Sequence, residues 1–217
     1  MNKQAGFTLI ELAIVLVIIG LLLGGVLRGQ ELINSAKVKN MARDFQNVQV
    51  YIYGYQDKFK ALPGDDSAAD KHLTGGTLAT TGGLKRGDGI IGGEWDSTTT
   101  TDESYLFWQH VRLAGLAPGS IDASAGNVSV YEPKNADGGR IGVQSVSTMT
   151  EITGMSGAYA VCSTGILGKF AKQLDTTLDD GETSTGSVRA VLSTTPGAGV
   201  TTATVDDSKT YTVCMAF

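Results

Sequence analysis

Few side chains in this 217-residue sequence have the type and spacing to do chemistry. The first is Glu11, the single charge between Phe7 and Leu27 in an otherwise apolar run. About 20 apolar residues suffice to cross a bilayer as a helix. A carboxylate inside such a span costs roughly 2.5–3.5 kcal/mol on insertion scales, so its presence points to a partner and a task. Three acidic loops come next: Asp65/Asp66/Asp70, Asp88/Glu94/Asp96 and Asp179/Asp180/Glu182. Carboxylates among flexible glycines supply the oxygen donors a hard cation requires, which makes Asp88, Glu94 and Asp96 candidate calcium ligands. No EF-hand is present, because Asp88-Gly89-Ile90 lacks the second and third acidic positions. A solvated turn is the plainer reading of each loop.

His72 and His110 are the only histidines, and no Gly-x-Ser-x-Gly accompanies them. The glycines lack the strand-to-helix setting and the Lys-Ser/Thr ending of a phosphate loop. His72 reads as a surface residue and His110 as a helix residue against a sheet. Trp95, Trp108, Tyr51, Tyr53 and Tyr55 read as packing residues, and the three tyrosines face different sides of a helix. Nothing here forms a catalytic constellation, so the chain is read as a non-enzyme. Cys162 and Cys214 are the only cysteines. An apolar N-terminus implies export, and in an oxidising compartment they are expected to pair. Closing a loop of about 52 residues stabilises by up to ~4 kcal/mol.

These residues need elements to position them. Proline is absent before Pro63, and Val38, Met41, Phe45, Val48, Ile52, Tyr55 and Phe59 recur at alternating spacings of 3 and 4. That is an amphipathic stripe. One helix from about Phe7 to Phe59 is predicted, about 80 Å long at 1.5 Å per residue. Its first half is apolar all round and its second half has one apolar face. Pro63 biases Leu62 away from helical angles and ends it. Thr74 to Thr101 reads as a long loop. Ser104–Leu116 and Lys169–Leu178 read as short helices, with Asn127–Tyr131, Arg140–Val146, Ala158–Cys162, Val188–Leu192 and Tyr211–Met215 as strands. The fold class is α+β, a long N-terminal helix packed against a C-terminal antiparallel sheet. Only 18% of residues are charged and the formal net charge is −5. Binding to nucleic acid through a basic surface is not expected.

Gly6-Phe7-Thr8-Leu9-Ile10-Glu11-Leu12, behind the short polar leader that carries Lys3, resembles the processing signature of type IV prepilins and type II secretion pseudopilins. The resemblance implies a leader at 1–6, cleavage between Gly6 and Phe7 by a prepilin peptidase, and N-methylation of Phe7. It implies a membrane-spanning and filament-core half of the helix at 7–27, an amphipathic half at 28–60 and a pilin-like head at 61–217. In this reading Glu11 pairs with the new Phe7 amine of the same or a neighbouring subunit and sets register during assembly. Expected partners are other pilins in a homo- or hetero-oligomeric filament and an inner-membrane assembly platform. The precursor would sit in the inner membrane before extraction into a periplasmic or cell-surface filament.

Two features depart from the simplest form of this picture. Lys3 precedes the span, whereas Arg28, Lys37, Lys39 and Arg43 follow it, opposite to the positive-inside pattern; the cytoplasmic leader is implied by the family alone. Major pilins commonly carry a proline shortly after their counterpart of Gly20, and this chain has Gly24, Gly25, Arg28 and Gly29 there. A minor pilin or a pseudopilin is the alternative within the class. Outside it stands a membrane-anchored periplasmic enzyme or binding protein.

Overall fold

The computed structural model describes residues 8–83, 85–195 and 197–217, and its contacts divide the chain into two compact units at the Lys37–Val38 boundary. Gly6 and Phe7 lie outside the described residues. Helix α1 is continuous over Leu9–Phe59, 51 residues. It passes through Gly20, Gly24, Gly25 and Gly29 without a break. The apolar side chains from Leu9 to Leu27 are exposed, and this stretch is long and apolar enough to cross a membrane.

In the second unit the α1 stripe is buried as its spacing predicts. Val38, Met41, Phe45, Val48, Ile52 and Tyr55 are all buried, and Phe59 is half-buried against the rings of Tyr55 and His72. Burying each such side chain contributes about 1.5–3 kcal/mol. They pack on a four-stranded antiparallel sheet of β1 (Ile141–Ser145), β2 (Tyr159–Leu167), β3 (Val188–Leu192) and β4 (Thr210–Ala216), in the order β1-β2-β4-β3. Successive strand residues face opposite sides. Val161, Val213 and Met215 therefore join the α1 core, while Ala160, Cys162, Cys214 and Ala216 join a second cluster with Trp95, Ile152 and Met155. The register changes between Ser163 and Ile166, where Gly165 at φ 73° supplies the positive φ a bulge requires.

Helices α2 (Ala69–His72), α3 (Glu103–Leu113), α4 (Val128–Tyr131) and α5 (Gly168–Leu178) complete the fold. Asn127–Tyr131, whose alternating valines predict a strand, is a 3-10 turn running into α4 instead. Side-chain bonding decides this. The Tyr131 hydroxyl accepts from the Gln109 amide and donates to the Tyr105 carbonyl, both at 2.8 Å, and the ring is fully buried. The Asp122 carboxylate accepts from Asn127 Nδ2 and the Ser124 amide, which closes the preceding turn.

Both sheet edges are covered. At β1 the Ser145 amide donates to the Ile91 carbonyl at 2.9 Å, and the Ile141 amide donates to the Pro133 carbonyl at 3.0 Å. At β3 the Ala190 amide donates to Thr183 and the Ala190 carbonyl accepts from Val200. Covered edges do not recruit foreign strands.

Candidate functional site

The first described turn of α1 carries the strongest candidate. Thr8 precedes the helix and Glu11 lies three residues on, the spacing of a capping box. The Thr8 amide and the Thr8 hydroxyl both donate to Glu11 Oε2 at 2.8 Å, and the Glu11 amide donates back to Thr8 Oγ1 at 3.3 Å. Two amides that a helix start would leave unpaired are thereby satisfied. The carboxylate also sits at the positive end of the helix dipole. Both of the Thr8 donors fall on the same carboxylate oxygen, Oε2.

The family model described as the prokaryotic N-terminal methylation motif matches residues 1–27. These residues are a prokaryotic N-terminal methylation motif. The motif is the hallmark of type IV pilins and pseudopilins. The matched stretch includes Thr8 and Glu11, and the motif points to a structural subunit rather than an enzyme. Comparison with curated proteins returned no match, and comparison with solved structures returned none.

The other candidate residues fall into two groups. Cys162 and Cys214 are register partners on the two central strands and form a disulfide, with Cα atoms 4.0 Å apart. The proposed calcium ligands are engaged separately. Asp88 accepts from the Ile90 amide at 3.0 Å, Glu94 from Thr150 Oγ1 at 3.4 Å, and Asp96 pairs with Arg140 at 3.0 Å. Among the described residues no three His, Cys, Asp or Glu side chains are grouped to hold a metal ion.

Asp65 and Asp66 are not solvated turn residues, contrary to the plain reading of their loop: both are buried. Asp65 accepts from the amides of Gly87 and Gly89. Asp66 accepts from Tyr55 Oη and His72 Nδ1, each at 2.7 Å, and from the Ala68 amide at 2.8 Å. Burial would raise its carboxyl, but these bonds outweigh burial and hold it below the ordinary carboxylate range. His110 faces this same loop rather than the sheet. Its Nδ1 accepts from the Gly64 amide at 2.9 Å and its Nε2 meets the Thr77 carbonyl at 2.8 Å, which fixes a neutral ring protonated at Nε2. Gly64 has φ 91°, and a Cβ there would lie 2.3 Å from the Glu103 carbonyl oxygen.

The bonds at Tyr55, Asp66, His72 and His110 fasten the loop after α1 to the end of the helix and to α3. Arg112 does the same for the next loop. Its guanidinium donates to the carbonyls of Pro118, Ser120 and Tyr131 and lies 5.0 Å from the Tyr131 ring centroid. Sequence reading missed these anchors because their partners are carbonyls, amides and rings at separations from 6 to 46 residues that follow no motif. The capping role of Thr8 was missed too, although its T-x-x-E spacing is a signal that could have found it.

Proposed function

We propose that the chain is a structural subunit of a type IV pilus-like filament, inserted in the inner membrane as a precursor, cut between Gly6 and Phe7, methylated on Phe7 and assembled through α1. The observation that carries this reading is one carboxylate, Glu11, within a methylation motif on an otherwise apolar exposed helix. Cleavage creates an α-amino group that is largely protonated near neutral pH. Thr8 orients Glu11 through Oε2, and Oε1 takes the Phe7 ammonium of a neighbouring subunit. In a low-dielectric bundle this pairing removes the penalty on both charges and fixes axial register.

A minor pilin or type II secretion pseudopilin is the second reading. It is favoured by the proline-free α1, which continues through Gly20, Gly24, Gly25 and Gly29. A tethered periplasmic enzyme or binding protein would need neither the motif nor an amphipathic continuation of the anchor.

Expression of Glu11→Gln beside the native chain tests the proposal. Cleavage should persist while the chain disappears from sheared surface filaments. Normal incorporation of the variant would refute the role given to Glu11.

A further inference from the structure

Among the described residues of 38–217, the large hydrophobic side chains that stand exposed are Val50, Tyr53, Ile121 and Val130, at 63%, 56%, 51% and 70%. They fall in two places. Val50 and Tyr53 belong to a second stripe of α1, Lys39, Arg43, Gln46, Val50, Tyr53 and Asp57, exposed throughout and spaced 4, 3, 4, 3, 4. Val50 and Tyr53 are its two apolar members, following the basic Lys39 and Arg43, and the Tyr53 ring stands edge-on to Phe217 with centroids 6.3 Å apart. Ile121 and Val130 lie on the loop after α3 and on α4. Arg112 Nη1 holds the two segments together by donating to the carbonyls of Ser120 at 2.8 Å and Tyr131 at 2.7 Å. Exposed Asp122 adjoins Ile121.

We infer that these two patches are the halves of one contact between copies of this chain: Val50 and Tyr53 of one copy seat against Ile121 and Val130 of the next. Lys39 and Arg43 on the α1 stripe face the acidic surface of that neighbour, with Asp122 closest to the contact. The inference rests on the filament reading and names the surfaces it uses. Charge complementarity supports a second copy as the occupant. Residues 38–217 carry 14 Lys and Arg against 20 Asp and Glu, a net −6, while the upper part of the exposed stripe is basic. Continuity supports it too, since the stripe lies on the helix whose first half is the motif-bearing apolar span. Two unlike patches on one molecule give a head-to-tail contact, which propagates into an open helical assembly where the rotation between copies does not close into a ring.

Chains with one added cysteine test this cleanly, because both native cysteines are in the Cys162–Cys214 disulfide. Val50→Cys and Val130→Cys chains are co-expressed, filaments are sheared and mildly oxidised, and cross-linked dimers are quantified. The expected result is a Val50→Cys/Val130→Cys heterodimer at least tenfold above either chain alone. Arg43→Asp should reduce it, and Arg43→Asp with Asp122→Lys should restore it. Filaments that contain both chains without the heterodimer overturn the inference and leave the filament reading standing. A dominant Val50→Cys homodimer also overturns it, showing that the stripes meet each other. Native chain absent from every filament preparation overturns the filament reading itself, and the contact with it.

Discussion

The amide and the hydroxyl of Thr8 converge on one carboxylate oxygen of Glu11, each at 2.8 Å. The capping residue therefore also orients the group that the assembly reading depends on. Thr8→Ala keeps the amide donor and loses the hydroxyl donor and the cap. It should cost about 1 kcal/mol at the helix start and lower, without abolishing, the filament-to-membrane ratio in quantitative immunoblots. Glu11→Gln should abolish it. Equal defects in the two variants would place the function in the cap rather than in the charge.

Cys162 and Cys214 join β2 to β4, so reduction loosens the centre of the sheet rather than a fringe. The disulfide lies in the cluster on the sheet face away from α1, so the α1 core is expected to survive its loss. A Cys162→Ser/Cys214→Ser chain in detergent should remain folded by circular dichroism and lose up to ~4 kcal/mol in urea unfolding.

The helix, its buried stripe and the disulfide were legible because each is written in local spacing or in counting. Val38 to Phe59 follow one helical period, and two cysteines have one pairing available within the chain. Asn127–Tyr131 misled because two alternating valines mimic a strand. Its helical turn is fixed by Tyr131, whose partners Tyr105 and Gln109 lie more than 20 residues away. The burial of Asp65 was hidden for the same reason, since its donors are the amides of Gly87 and Gly89, whereas the Asp66 partners Tyr55 and His72 lie only 11 and 6 residues away but follow no recognised motif.

His110 should make the head sensitive to acid. Burial pushes its imidazole below the ordinary value, and both ring nitrogens are committed, with Asp66 the nearest opposing charge. The unfolded chain therefore binds the extra proton first. Stability is complete above about pH 6.5 and falls as pH drops below it, by at most about 1.4 kcal/mol per pH unit. Because buried carboxyls such as Glu103 act with the opposite sign in this range, the slope is read as the difference in urea unfolding between the native chain and His110→Gln from pH 7.5 to 5. His110→Gln should be less stable at every pH and lack this part of the slope.

Glu103 acts in the opposite direction. Burial pushes its carboxyl up to about 7, against the Gly92 amide that donates to it at 2.8 Å, with Asp65, Asp88 and Asp102 adding to the rise. Here the folded state holds the proton more tightly. Stability is complete below the unfolded value near 4.5 and is lost as pH rises through about 7. Glu103→Gln keeps an acceptor for Gly92 and cannot ionise. It should match the native chain near pH 4.5 and exceed it by about 1–3 kcal/mol at pH 8. A variant less stable at pH 8 would show that the carboxylate is favoured where it lies.

The most direct measurement is mass spectrometry of the N-terminal peptide from sheared surface filaments of cells expressing the native chain. The account predicts that this protein is present in the filament fraction and that its chain begins at an N-methylated Phe7. A chain beginning at Met1, or one confined to the membrane fraction while filaments form without it, would contradict it.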